Sequence, residues 1–319
     1  MSSFIIRRLV GAVPLLLLVS LISYAIMGLS PGGPAAILGQ QARRLSPAAR
    51  AHFIALLGLD RPWYVQYFYW LKTLIFQGSL GNSYVDGRPV VQKILEKLPV
   101  TLELLTLALI LTLLIAIPVG VYAATKRNSW FDIGSTAIGF VAYGIPVFWL
   151  GIVMIDVFAV HLRWLPASGI ASLGRENDLL DRLRHLVLPV VTLAIVSFAS
   201  WMRYQRGAML EVLSAPFVRT ARAKGLTERV VVYRHALRNA LIPTVTLLGL
   251  TLPGLVGGAF FVEYIFSYPG MGYLGITSIF ARDYPTVMGI TMLSAVLVVL
   301  GNLLADVFYS LVDPRIRYD

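Results

Sequence analysis

The chain alternates long apolar runs with short polar interruptions, and run length decides its class before any single residue does. Six runs approach the about 20 residues that an α-helix needs to cross about 30 Å of hydrocarbon; they lie near 9–29, 99–123, 133–160, 186–205, 241–262 and 286–311. They predict an all-α polytopic membrane protein with six spans. The long loop after the first run opens with Ser30-Pro31-Gly32-Gly33-Pro34, a helix stop because Pro and Gly both break continuation. It goes on as LGLDRPWYVQYFYWLKTLIFQGSLGNSYVDGRP, aromatic and mildly charged. Tyr64, Tyr67, Phe68 and Trp70 are of the kind that settles at the headgroup level. This stretch reads as a small folded cap on the outer face. The expected organisation is therefore 1–98, the first span plus its extracytoplasmic segment, and 99–319, a core of five helices.

One inner connection departs from the apolar pattern. Residues 218–243, VRTARAKGLTERVVVYRHALRNALIP, carry Arg219, Arg222, Lys224, Arg229, Arg234 and Arg238 against one acid, Glu228. Leu226, Val230, Tyr233, Leu237 and Leu241 recur at helical spacing and predict one apolar face, with Arg229, Arg234 and Arg238 pointing elsewhere. Such a helix lies along a surface and does not cross the bilayer. Amphipathicity leaves two partners open: anionic lipid, where each basic residue near the surface is worth about 1 kcal/mol, or the groove of a cytoplasmic protein.

Composition agrees with the span count. A mean hydropathy of +0.76, with 57% hydrophobic and 13% charged residues, falls outside soluble domains, where roughly a quarter of residues are charged. The net charge of +11 and pI near 10 do not indicate a nucleic-acid binder, because there is no soluble domain to present a basic face. The absence of cysteine removes disulfides, thiolate metal sites and cysteine nucleophiles. At the amino terminus, Arg7 and Arg8 precede an apolar run with no A-x-A site behind it, so it reads as a retained first span and not a cleaved signal. Lys and Arg collect at Arg7, Arg8, Lys126, Arg127, between 203 and 238, and at Arg315 and Arg317. By the positive-inside rule both termini are expected in the cytoplasm.

Candidate chemistry is sparse. No lysine among Lys72, Lys93, Lys97, Lys126 and Lys224 follows a glycine, so the chain lacks the Gly-Lys-Ser/Thr ending of a phosphate-binding loop. Gly28-Leu29-Ser30-Pro31-Gly32 matches G-x-S-x-G, but a nucleophile elbow needs a strand before the serine and a helix after it. A membrane helix and a proline stand there instead. His52, His161, His185 and His235 show no metal-ligand spacing; His235, inside the basic segment, is expected to form hydrogen bonds. Neither a catalytic residue nor a cofactor or metal site is expected. Glu103, Asp156 and Asp306 fall inside apolar runs, and intramembrane carboxylates are functional candidates by default. Glu103 and Asp156 are candidates for lining a path, and all three keep open a proton-coupled secondary transporter as the alternative. Pro118, Gly144, Pro146, Pro243, Pro253 and Gly257-Gly258 permit kinks and close helix contacts.

RTARAKG followed by RHALRNALIP resembles the cytoplasmic signature of bacterial ABC importer permeases, in particular the first permease subunit type of the oligopeptide and dipeptide family. In binding-protein-dependent permeases generally the signature begins Glu-Ala-Ala, with a glycine four positions after the last alanine. Here Arg219, Thr220 and Ala221 stand in those places and Gly225 is the glycine. The missing acid and the longer run to Pro243 are usual for the peptide branch. The likeness continues, in order, through RRLVGAVPLLLLVSLISYAIMGLSPGGPA, LGLDRPWYVQYFYWL, GSLGNSY (Ser79 where the family more often has Asp), LPVTLELLTLALILTLLIAIPVGVYAA, GIPVFWLGIVM, WLPASG, VEYIFSYPGMGYLG and RDYPTVMG.

The resemblance implies a type I ABC importer permease fold in the bacterial cytoplasmic (inner) membrane. It implies import of peptides, with nickel chelates, glutathione and some oligosaccharides as other cargoes of the same architecture. The expected partners are a homologous second permease, two cytoplasmic ATPase subunits that bind the ATP, an extracytoplasmic substrate-binding protein and surrounding lipid. The coupling element would comprise Arg219, Thr220, Ala221, Arg222, Ala223, Lys224, Gly225, Leu226, Arg229, Arg234, His235 and Arg238. The likeness thus favours an ATPase over lipid as the partner of 218–243.

Overall fold

The computed structural model describes residues 2–29 and 60–312 and isolated positions from 46 to 58, without the side chains of 2–6, 245–246, 249–258 and 304–312. Among the described residues the chain is helical. The helices are α1 (Ser2–Leu29), α2 (Trp63–Gln77), α3 (Val90–Thr125), α4 (Trp130–Gly144) and α5 (Val147–Met154), the last continuing as a π turn over Ile155–His161. Then come α6 (Leu179–Ser214), α7 (Pro216–Ala223), α8 (Glu228–Val230), a π turn over Val231–Ala236, α9 (Leu237–Ile265), α10 (Met271–Phe280) and α11 (Tyr284–Val312). An isolated antiparallel bridge joins Asn82 and Pro89.

Four described segments, Arg7–Leu29, Val90–Thr125, Leu179–Ser214 and Tyr284–Leu303, are long and apolar enough to cross a membrane. The apolar run 241–262 lies on α9, whose middle side chains fall outside the description. The run 133–160 is not a straight span: α4 and α5 form a pair bent by 99°. The break has a local cause, because a proline's ring pushes the residue before it out of the helical region. Ile145 is extended (φ −78°, ψ 123°), Pro146 follows with ψ 131°, and the helix restarts at Val147. Pro14 and Pro189 instead sit inside α1 and α6 without ending them.

The fold divides into two compact units, one of residues 1–100 and 269–303, the other of 101–268 and 304–319. In the first, α1 packs on α2. Ser20 Oγ and the Tyr67 hydroxyl share a hydrogen bond of 3.0 Å, and the Tyr67 ring meets Tyr24 edge-on and Trp70 in a stack. Tyr67 is therefore buried between the two helices, while Tyr64 and Phe68 are exposed. A side chain on Gly28 would lie 2.7 Å from Trp63 Cβ, so the first glycine of the G-x-S-x-G match lets α1 approach α2. Ser30 to Gly32 lie outside the described residues.

In the second unit α6 is the central helix, packed against α4, α5 and α9. Ser129 caps α4 by accepting from the Asp132 N–H at 3.3 Å. The buried Asp132 carboxylate takes two hydrogen bonds from Arg206, 2.5 Å from Nε and 2.7 Å from an Nη. This pairing satisfies a carboxylate that burial alone would penalise heavily.

Candidate functional site

The basic segment is a helix-turn-helix whose every bend has a stereochemical reason. α6 ends because Ala215 is extended (φ −66°, ψ 148°), and Pro216 opens α7 at the position where its missing N–H is no loss. α7 ends in a Schellman motif: the Gly225 N–H donates to Arg222 O at 2.9 Å and the Leu226 N–H to Ala221 O at 3.4 Å. That motif needs a left-handed residue just past the helix, and glycine takes the conformation without a Cβ penalty. Gly225 has φ +78°, and a Cβ there would meet nothing within 4 Å, so backbone conformation and not space requires the glycine. Thr227, extended again, leads into α8.

Two interactions hold this element together. Its inner side is apolar: Val218 (0% exposed) and Ala221 pack with Val121 and Ala124 of α3, Met209 of α6, and Val231, Val232, Ala236 and Ala240. Across the turn, Arg222 grips Glu228 with two hydrogen bonds, 3.1 Å from Nε and 2.7 Å from an Nη. The hydrogen bonds from Arg222 hold the Glu228 carboxyl below the usual carboxylate range and raise Arg222 in turn.

Of the residues the sequence singles out, Arg219, Thr220, Arg222, Ala223, Lys224, Gly225, Leu226, Arg229, Arg234 and Arg238 are exposed. Ala221 faces the core, and His235 is half-buried, its carbonyl accepting from the Asn239 side chain at 2.8 Å. The expected apolar stripe is displaced. Leu226 (40% exposed) and Tyr233 (56% exposed) face outward, and Val231, Val232, Ala236 and Ala240 form the buried side. Leu226 lies in the turn before α8 and outside any helix, and the π turn over Val231–Ala236, which closes its bonds at i+5, takes Tyr233 and the residues after it off the 3.6-residue register. Phe217 and Tyr233 add exposed aromatic surface to the basic outer side.

The intramembrane carboxylates separate. Glu103 is half-buried and accepts a hydrogen bond from Arg182 of α6. Asp156 is exposed in the π turn, 3.5 Å from His161 Nδ1. The side chain of Asp306 lies outside the described residues. Besides Asp132 and Asp181, two more buried carboxylates go unmarked by the sequence. Glu263, at the end of α9, accepts from the Thr101 hydroxyl at 2.7 Å. Asp283, 1% exposed, accepts from Ser83 Oγ (2.5 Å), the Tyr84 N–H (2.9 Å) and Thr286 Oγ1 (2.7 Å), with Lys93 Nζ at 3.6 Å. The only sequence signal for either was its place inside a quoted motif, VEYIFSYPGMGYLG or RDYPTVMG. Among the described residues no group of three His, Asp or Glu side chains is arranged to hold a metal ion.

Long apolar helices bent and packed in this way define a polytopic permease of the type I importer fold. Residues 116–318 match the family described as binding-protein-dependent transport system inner membrane component, and residues 1–105 match its N-terminal partner family. The chain belongs to that family, whose members are transport components of the inner membrane and not enzymes. Over its whole length it is 44% identical to the oligopeptide transport system permease protein AppB of Bacillus subtilis, covering 100% of both chains. It is 40% identical to the di/tripeptide transport system permease protein DppB of Pseudomonas aeruginosa and 37% to the dipeptide permease DppB of Escherichia coli K12, covering 100% of this chain and 99% of each relative. A chain of the inward-facing MetNI methionine ABC transporter has the same fold, with a TM-score of 0.57 and 22% identity over 70% of this chain and 97% of that one.

Proposed function

We propose that the chain is one of two permease subunits of an ATP-driven importer of peptides. The observation that carries this reading is the 44% identity, across all 319 residues, to an oligopeptide permease. In this reading residues 1–98 precede a five-helix core, 99–319, both termini lie in the cytoplasm, and α2 is on the outer side. A second permease completes the path, two ATPases dock beneath, and an extracytoplasmic binding protein delivers cargo from above. Glu103 and Asp156 are the path-lining candidates.

The helix-turn-helix from Pro216 to Ala236 is the coupling element. Its build supports the role: an apolar side packed on α3 and α6 moves with the spans as a body, and a basic outer side is left for an acidic cleft, where charge sets orientation and association rate. Glu228 is the one acid in 218–243 and is already held by Arg222, so the outer side stays cationic.

The test exploits the absence of native cysteine. An Ala223→Cys variant in the assembled transporter, treated with a short thiol-to-amine crosslinker in membranes, is expected to give a product of the permease plus an ATPase subunit, altered by ATP. Crosslinking to lipid amines alone would overturn the docking assignment. ATP-dependent uptake of short peptides into proteoliposomes holding all subunits tests the cargo; uptake driven by a proton gradient without ATPases would install the alternative.

A further inference from the structure

In the second unit, the outer ends of α3, α6 and α9 bring together a charged group that the coupling role does not use. Its back is sealed: Thr101, Glu263 and the Tyr268 side chain are all buried, and Thr101 donates to Glu263. Its front is open. The side chains of Arg182 and Glu103, paired through an Nη and Oε2, keep 39% and 31% of their surface exposed. The Nε of Arg182 is buried, and the guanidinium lies beside the Tyr268 side chain as well as Glu103; these two neighbours use only part of the five donors a guanidinium carries. Glu103 lies within α3, whose apolar run crosses the membrane. Charges at such places face a water-filled cavity or the bundle interior and not lipid. An ion pair this open to solvent adds little to stability, so stability alone does not account for one there.

We propose that Arg182 and Glu103 form a substrate-terminus site in the permease itself: the guanidinium takes a peptide's terminal carboxylate and Glu103 takes its terminal ammonium. The inference rests on the peptide reading above. The fork of an arginine fits a carboxylate with two parallel bonds. A zwitterionic cargo replaces one ion pair by two, so the permease charges are never left unpaired while cargo passes. Tyr268, just past the end of α9 and beside Arg182, acts behind the pair as a positioning residue.

The experiment separates a site from a brace by polarity. The complete transporter is reconstituted with wild-type chain, with Arg182→Gln, with the reversed pair Arg182→Glu/Glu103→Arg, and with the apolar pair Arg182→Leu/Glu103→Leu, and uptake of a pool of short peptides is read by mass spectrometry. Assembly with the other subunits is checked by co-purification. We expect uptake to fall about tenfold or more in Arg182→Gln and to stay low in the reversed pair, which restores attraction but presents each charge on the wrong helix. Uptake restored to wild type by either double variant would make the pair a structural brace and overturn this inference alone. Failure of the wild-type complex to take up any peptide would overturn the peptide reading, and this inference with it.

Discussion

Two polar knots in this chain are built from the same chemistry and put to opposite use. Around Asp283, a carboxylate, a lysine, two hydroxyls and a backbone N–H are folded away from water and satisfy one another. Around Gly225, an arginine and a glutamate grip each other in full view of solvent, and the neighbouring cations are left exposed. The first knot ties the 83–93 stretch to the start of α11 within one compact unit. The second shapes an exposed basic surface, the one proposed above to dock an ATPase. Burial decides the difference: a buried charge that loses its partner is costly, whereas an exposed pair is worth little to stability and can serve as geometry.

The largest effect is expected at Asp283. Asp283→Ala removes the acceptor of three hydrogen bonds and leaves the buried Lys93 with Asp86 at 3.0 Å as its remaining carboxylate. The expected cost is about 3–5 kcal/mol, read as a large drop in thermal stability and in the yield of folded chain. Asp283→Asn keeps the shape and part of the bonding and should fall between. Equal stability of all three proteins would show that the cluster is not a fastening.

A smaller effect on stability, and a larger one on transport, is expected at Gly225. Holding a β-branched residue at φ +78° costs about 1–3 kcal/mol, and the Schellman turn relieves the strain by opening. In the proposed transporter Gly225→Val should insert and assemble normally, with the ATPase subunits hydrolysing ATP but no substrate imported. Gly225→Asn should retain more transport, because asparagine visits the left-handed region more readily. Full transport by the valine variant would remove the turn from the coupling mechanism.

The two knots also differ in how far the sequence exposes them. The basic segment 218–243 is legible because its elements are local: a basic run, a glycine four residues after Ala221, and apolar residues at helical spacing. The part that misleads is the π turn, since one extra residue per turn changes which side chains are buried without any compositional mark, and it turned Tyr233 outward. The Asp283 knot joins residues 200 positions apart, and no periodicity reports such a contact. Four of the six apolar runs lie on described helices long and apolar enough to cross a membrane, yet the 99° bend in 133–160 was not legible, because Pro146 breaks its helix and Pro14 and Pro189 do not. What distinguishes Pro146 is the extended Ile145 before it, a backbone state visible in the fold alone.

The smallest effect is expected at Glu228. Glu228→Gln keeps the shape of the side chain but gives up its charge, and because the pair is exposed the change in stability should stay below about 1 kcal/mol. The pH dependence isolates the pair further. Hydrogen bonds from Arg222 hold the Glu228 carboxyl below its unfolded value, so the contribution is fully present above the ordinary glutamate range near about 4.3. It is lost as pH falls through the lower folded value, while Arg222 stays charged throughout. Amide exchange at residues 222–228 should therefore be flat from neutral pH down to the carboxylate range, once corrected for intrinsic rates, and rise below it in the wild type. Glu228→Gln should show the raised level at every pH. An acid limb that persists in the glutamine variant would assign the loosening to another carboxylate and reduce the Arg222 pairing to a surface contact with no part in shaping the turn.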